Sequence, residues 1–559
     1  MADGRILSAL RRYIASPEWE PEELLGAGFT PSAVAGPYKK ILVIHPNFIG
    51  DVAGITPIIR ELARRYRGAE IHFLAEENSA PVLENNPYIK KTIIFRQMEL
   101  LTLIRSGKIS EADRYLSAFL RRLRSEEYGL VINFSYWLRY CLIAGQAAAA
   151  GSAARTGLFL TNGLRPEIYG GVWDFYMYNL IFDKSLKARG LLSGFDINSR
   201  RVCVSTLRSS PELFLSRAEK KEFRASFGGL LAERGAGLVG LVPGAQREVK
   251  MWEAGKYAEF IKLLHKREKI KAVLFGSEAE KGLCSGINRL AGGKAVDLSG
   301  RTNLRQLMYL LGRCSCVIGS DTASAHLASA LGVPVIVIGG PTMICPAGRR
   351  NNLFIYGDVD CLACGYFSKC KDKKCMAKVT PSGLYDIYLV QKKLVIKRRP
   401  SPALVKRALR GIEAHYSVYD RALGYAYLPL GGKKTLPFGK LADAFLDASL
   451  INSLSGLDGL LGRRSAGINK ASLLKMLDSK YTGLYNKKAK DSMRGDLEML
   501  RRAAVVPDED LPGRLKGRFR LFEGLFASGA FGTLMGLSRF RRAVMISALG
   551  YYRQLSALR

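Results

Sequence analysis

Four short segments set ionisable side chains among small residues where an apolar run gives way to a loop. The first is Ile49-Gly50-Asp51, behind the run Ile41-Leu42-Val43-Ile44. A carboxylate at a strand end can take a proton from a substrate hydroxyl. Asp is equally a residue that caps helices, and spacing leaves both readings open. The second is Gly319-Ser320-Asp321-Thr322-Ala323-Ser324-Ala325-His326, after Cys316-Val317-Ile318. A helix starting there offers backbone N–H groups and a positive dipole end to a pyrophosphate, and the small residues let a ligand approach. Its plainer reading is a helix capped by Asp321 or Thr322, with His326 packed inside. The third is Pro243-Gly244-Ala245-Gln246, followed by Lys250 and Trp252. Lys250 is either a point charge for a phosphate leaving group or a solvated loop lysine. The fourth is Gly276-Ser277-Glu278-Ala279-Glu280. A glutamate at a strand end can hold ribose hydroxyls, or it can complement a helix dipole. All four fall at expected strand ends, three of them in one half of the chain. That joint placement points to a ligand cleft.

The elements that would position these residues follow from periodicity. Residues 1–38 read as a polar, helix-prone preface containing Pro31, Gly36 and Pro37. The run at 41–44 is a short β-branched strand of the buried parallel kind. A helix with Ile58, Ile59, Leu62 and Ala63 on one face follows, stopped at Gly68, and Ile71–Leu74 is the next strand. Such a unit implies a right-handed crossover. Further strands are expected at Lys91–Phe95 and Leu130–Phe134, with a charged helical insert over about 98–124. The pattern restarts at Gly237, with strands at 238–242, 272–275, 295–298, 317–318 and 335–338 and helices at 254–266, 304–311 and 324–331. The fold class is therefore α/β, with Rossmann-like units over 39–225 and 226–390. Residues 391–559 read as a basic, helix-prone region without βα alternation.

In this order the motifs resemble glycosyltransferase family 9, whose best-known members are ADP-heptose:lipopolysaccharide heptosyltransferases. The matching residues are Lys40-Ile-Leu-Val-Ile, Ile49-Gly-Asp-Val and Thr56-Pro-Ile-Ile-Arg-Glu-Leu, then Pro243-Gly-Ala with Lys250-Met-Trp. Phe275-Gly-Ser with Glu280, Leu298-Ser-Gly-Arg-Thr-Asn-Leu, Gly319-Ser-Asp-Thr-Ala with His326, and Gly340-Pro-Thr complete the set. The resemblance spans roughly residues 39–390. It implies a GT-B architecture, two Rossmann-like domains facing across a cleft, and an inverting, metal-independent transfer. It implies that Asp51 deprotonates the acceptor and that Lys250 neutralises the departing phosphate. Glu280 becomes a ribose contact. Ala245, Gln246, Thr302, Asp321, Thr322, Ala323 and His326 line the nucleotide-sugar pocket. The expected donor is ADP-heptose and the expected acceptor a glycan or lipid-linked glycan. The loop His45-Pro46-Asn47-Phe48 departs from the family, which often carries Arg or Lys and serines there. Other readings are a GT-B transferase or epimerase using another nucleotide sugar, and a basic nucleic-acid-binding protein with a degenerate enzyme core.

At 559 residues the chain exceeds a single core, and its net charge of +36 attracts polyanions without choosing among them. No helix-turn-helix, RRM or KH signature is present, so no specific nucleic acid is expected. Met1–Ser16 does not read as a signal peptide and no run of roughly 18 apolar residues occurs, so the expected location is cytoplasmic. Cys361, Cys364, Cys370 and Cys375 have spacings that suit a tetrahedral structural zinc. An iron–sulfur cluster or plain reduced cysteines are the alternatives, and a similar cysteine-rich segment occurs in many members of the family. From Gly513 onward, Arg514, Lys516, Arg518 and Arg520 interleave with Leu515, Phe519, Leu521 and Phe522. This suits either a helix lying on an anionic membrane surface or one docked on the catalytic body.

Overall fold

The computed structural model describes residues 28–31, 34, 36–46, 48–149, 153–161, 166–170, 173–174, 194–204, 210–231, 237–341, 346, 352–359, 370–420 and 424–432. In the first unit the strands are β1 (Gly28–Pro31), β2 (Lys40–Ile44), β3 (Glu70–Glu76), β4 (Lys91–Phe95), β5 (Leu130–Asn133), β6 (Ala154–Leu160) and β7 (Pro166–Gly170). Its helices are α1 (Ile49–Gly54), α2 (Thr56–Arg65), α3 (Gln97–Arg105), α4 (Ile109–Arg124), α5 (Leu138–Ala148) and α6 (Gly194–Arg201). Helix α7 (Arg217–Leu231) leads to the second unit. There the strands are β8 (Leu238–Val242), β9 (Lys271–Leu274), β10 (Ala295–Asp297), β11 (Cys314–Ser320), β12 (Val335–Ile338), β13 (Leu353–Gly357), β14 (Ile412–Asp420) and β15 (Gly424–Pro429). The helices are α8 (Ala254–Glu268), α9 (Lys281–Leu290), α10 (Leu304–Leu311), α11 (Ala323–Ala330), α12 (Lys374–Ala377), α13 (Pro381–Val395) and α14 (Pro402–Ala408).

The first sheet runs β1-β7-β6-β5-β2-β3-β4, and β6 through β4 are parallel. The chain builds outward from β2 to β4, then returns to the other side of β2 to lay down β5. The loops after β2 and β5 therefore diverge and leave a crevice at the switch point, where open α/β sheets hold ligands. The second sheet, β10-β9-β8-β11-β12-β13-β14-β15, repeats the device. Strands β8 to β10 build one way and β11 to β13 the other, so the switch lies between β8 and β11.

Alternation explains the packing. Ile41 and Val43 of β2 join Ile58, Ile59 and Leu62 of α2 in one apolar cluster, while Leu42 and Ile44 are buried on the opposite face. Val317, Val335 and Val337 belong to that same cluster, whereas Ile318, Ile336 and Ile338 face a second one built with α8 and α13. The first cluster thus spans both sheets and carries α10 and α11 between them.

Two parts depart from the sequence expectation, and a third, helical as expected, is divided. The charged insert at about 98–124 is two helices, α3 and α4, broken where Gly107 takes φ +74°; a left-handed residue ends a helix, and glycine does so without a Cβ clash. The preface expected to be helical contributes β1, paired in parallel with β7. The C-terminal region expected to be helical opens with α14 but continues as the hairpin β14–β15, added antiparallel to β13. In β14, buried Ile412 and Ala414 alternate with less buried Glu413 and His415, which is strand periodicity within a Lys- and Arg-rich stretch. Among the described residues no helix is long and apolar enough to cross a membrane. The basic segment after Gly513 lies outside the described residues, as do Cys361 and Cys364.

Candidate active site

The two switch points face each other. Helix α1, which follows β2, packs on α11, which follows β11, and Gly50 makes the approach possible. A Cβ at Gly50 would stand 3.0 Å from the His326 ring. Asp51 is thereby placed, exposed, on the rim of a cleft whose other wall is the N-terminal end of α11. Its Oδ2 accepts the Phe48 N–H at 3.2 Å, so Asp51 is not the N-cap itself but the third helical residue, bonded back to the N-cap Phe48. The same bond fixes the carboxylate at the mouth of the switch-point crevice.

On the facing wall, Lys250 sits in a 3-10 turn, Glu248–Lys250, after β8. It is 8% exposed, and its Nζ stands 2.9 Å from Asp321 Oδ2. His326 Nε2 lies 3.5 Å from Asp321 Oδ1. Asp321 therefore neither caps α11 nor faces a ligand as a bare carboxylate; it positions a lysine and a histidine. Thr322 is the residue before α11, yet its side chain makes no cap bond, and its Oγ1 is buried without a hydrogen-bond partner. A buried hydroxyl without a partner at a helix N-terminus, beside a lysine, is suited to an anionic oxygen. Ala323 opens the helix and adds no bulk. The close packing beneath comes from Gly319, where a Cβ would lie 2.6 Å from Val242 O.

The remaining residues of the expected pocket line the same sheet edge. Ala245 is buried and Gln246 exposed in the loop after β8, and Thr302 is partly buried after β10. Glu280, after β9, has Oε2 accepting the Ser277 N–H at 2.6 Å and its hydroxyl at 2.8 Å. Its Oε1 lies where a Cβ at Gly244 would be, 1.8 Å away, so Gly244 lets the loops after β8 and β9 meet. Of the four cysteines, Cys370 is partly buried and Cys375 buried. No group of three or more possible metal ligands occurs among the described residues.

The first unit's wall of the cleft holds residues that the sequence did not single out. Glu76 ends β3 beside the loop after β2, with its N–H on Pro46 O at 3.2 Å. The Tyr140 hydroxyl donates to Glu76, and burial pushes that carboxyl above its ordinary value. Arg139 Nη2 is 3.9 Å from Glu76, and its guanidinium lies 4.8 Å from the Trp137 ring centre. His45 has a buried Nδ1 without a hydrogen-bond partner; burial pushes its pKa down to about 4 against the pull of Asp51. It is a neutral ring at physiological pH. Beneath this loop Arg201 is buried, with Nε 2.9 Å from Asp174 and Nη2 donating to Asn133 O at 3.0 Å. The legible signal was Trp137, Arg139 and Tyr140 directly after a strand.

Two Rossmann-like sheets with facing switch points define a GT-B architecture. Residues 181–361 match the model of glycosyltransferase family 9 (heptosyltransferase). The chain is 26% identical to lipopolysaccharide heptosyltransferase 2 of Salmonella typhimurium over 311 residues, 54% of this chain and 83% of that protein. It is likewise 26% identical to lipooligosaccharide heptosyltransferase 2 of Haemophilus influenzae over 316 residues, again 54% and 83%. The crystal structure of a family 9 glycosyltransferase from Veillonella parvula shares the fold, with TM-score 0.53 and 19% identity, covering 65% of this chain and 99% of that one. The chain is thus similar to family 9 heptosyltransferases over 54% of its length, a likeness to enzymes rather than to nucleic-acid-binding proteins with a degenerate core.

Proposed function

We propose that the enzyme transfers a heptose, or a closely related sugar, from an ADP-sugar to a hydroxyl of a lipopolysaccharide-type glycan. The observation that carries this reading is the opposition of Asp51 to the Lys250–Asp321–His326 group across the α1–α11 contact. In this reading the donor diphosphate lies at the N-terminal end of α11, taking Thr322 Oγ1 and the first-turn N–H groups. Lys250 turns from Asp321 to the diphosphate. Asp51 removes the acceptor proton as the acceptor oxygen attacks the anomeric carbon from the face opposite the diphosphate. The bond from that carbon to the diphosphate oxygen breaks, and ADP leaves with its charge met by Lys250. One attack from the opposite face inverts the anomeric centre. Positioning, one base and electrostatic stabilisation supply the rate without a metal. The names of the relatives support heptose as the sugar and lipopolysaccharide as the acceptor class.

In the same reading the enzyme works in the cytoplasm, with the basic segment after Gly513 holding it to an anionic membrane surface near a lipid-linked acceptor. The cysteine cluster, in the same view, holds a structural zinc apart from the chemistry. The test of function is ADP release from ADP-heptose in the presence of lipopolysaccharide core oligosaccharide, compared with UDP-sugars. Release from UDP-sugars alone, or none with any sugar, overturns the donor assignment.

A further inference from the structure

The loop after β2 presents an aromatic ring where the family often carries cations or serines. Phe48 is 41% exposed. Leaving a phenyl ring in water forgoes roughly 25 cal/mol for each Å² left unburied. The ring is not disordered from its neighbours: it meets Trp137 edge-on, with centroids 6.4 Å apart and planes at 78°. Trp137 comes from the loop after β5, so the pair straddles the switch-point crevice of the first sheet. Arg139, itself 7% exposed, stands over the Trp137 ring at 4.8 Å and fixes its position, leaving the indole partly open. The Phe48 N–H holds the Asp51 carboxylate at 3.2 Å. Any hydroxyl that reaches Asp51 therefore belongs to a molecule lying beside Phe48.

From this juxtaposition we infer that Phe48 and Trp137 form a stacking platform for the ring of the acceptor sugar and set specificity for a carbohydrate acceptor. A pyranose presents a face of C–H groups that packs on aromatic rings, while its edge hydroxyls stay free to reach Asp51 and the neutral His45. A peptide hydroxyl brings no such face. The inference rests on the proposed function, whose acceptor it specifies, and its chemistry is that of binding rather than proton transfer. Phe48 and Trp137 are positioning residues.

The test uses the full chain with two probes, lipopolysaccharide core oligosaccharide and a serine-containing peptide. Phe48→Ala and Trp137→Ala are each expected to raise the oligosaccharide KM about tenfold, with kcat held within about threefold. Phe48→Tyr and Trp137→Phe should restore the KM, and Phe48→Leu should not. Saturation-transfer NMR reads oligosaccharide binding without turnover, and ring C–H signals should be present for the parent enzyme and lost in Phe48→Ala. A Phe48→Ala enzyme with the parent KM, a Phe48→Leu enzyme equal to Phe48→Tyr, transfer to the peptide alone, or no oligosaccharide signal for the parent enzyme overturns the platform. Oligosaccharide binding without consumption of ADP-heptose would instead overturn the proposed donor and leave the platform standing.

Discussion

At the scale of single residues, the site divides its charges between two walls. Asp51 stands on one wall, held by a single backbone N–H at 3.2 Å, with its second oxygen unconstrained by that bond. Replacing it by Asn keeps shape and removes basicity. Asp51→Asn should lower kcat by about 10²–10⁴-fold while the ADP Kd, measured by calorimetry, stays within about twofold. Lys250 differs in the proposed mechanism, where it meets the diphosphate before and during bond cleavage. Lys250→Ala should both weaken ADP binding and lower kcat by about 10²–10³-fold. It also leaves Asp321, 8% exposed at its side chain, without its strongest partner, next to incoming phosphate. Restoration of ADP affinity in Lys250→Ala/Asp321→Asn would confirm that repulsion, and equal affinities in the two variants would refute it.

At the scale of elements, loops carry the chemistry and buried ion pairs hold the loops. The segment from the end of β5 to Trp137 is backed by Arg201, which bonds Asn133 O and pairs with Asp174, both side chains being at most 1% exposed. The Arg201 guanidinium also lies 5.2 Å from the Phe134 ring centre and 5.5 Å from that of Tyr136. Removing one partner of a buried pair leaves the other uncompensated, which costs about 3–5 kcal/mol. Asp174→Ala should therefore lower the melting temperature by several degrees in calorimetry, and an unchanged melting temperature would refute the pairing.

At the scale of the whole molecule, Arg305 ties the two units together. It donates to Pro81 O at 2.9 Å in the first unit and to Phe214 O at 2.7 Å in the connecting segment, and it pairs with Glu219 of α7 through two bonds of 2.7 and 2.9 Å. Those bonds pull the Glu219 carboxyl from its ordinary 4.5 down to about 2. The folded protein then holds that proton more weakly than the unfolded chain does. The pair's contribution is complete above about pH 4.5 and is lost as pH falls toward 2. Melting temperature should drop across this window, and Glu219→Gln should flatten the drop; an equally steep profile in the variant would assign the acid sensitivity elsewhere. The proposed membrane contact of the basic segment beyond Gly513 belongs to the same scale. Changing Arg514, Lys516, Arg518 and Arg520 to Ser in the full chain should reduce sedimentation with phosphatidylglycerol vesicles, most clearly at low salt. Undiminished sedimentation would place membrane contact elsewhere or nowhere.

The sequence alone determined the elements with strong local signatures. Short β-branched runs made β2, β8 and β12 legible, and glycine with Asp, Thr or Lys at their ends marked Asp51, Lys250 and Thr322 as candidates. It did not reveal β1 or β14, because each pairs with a strand distant in sequence, β7 and β13 respectively. Only the tertiary structure decided that Asp321 serves Lys250 and His326 rather than capping its helix, because an ion pair spanning 71 positions has no local signal. It also decided that Phe48 and Trp137 meet. They lie 89 residues apart, and only the return of the chain from β4 to β5, on the far side of β2, sets them across one crevice beside Asp51.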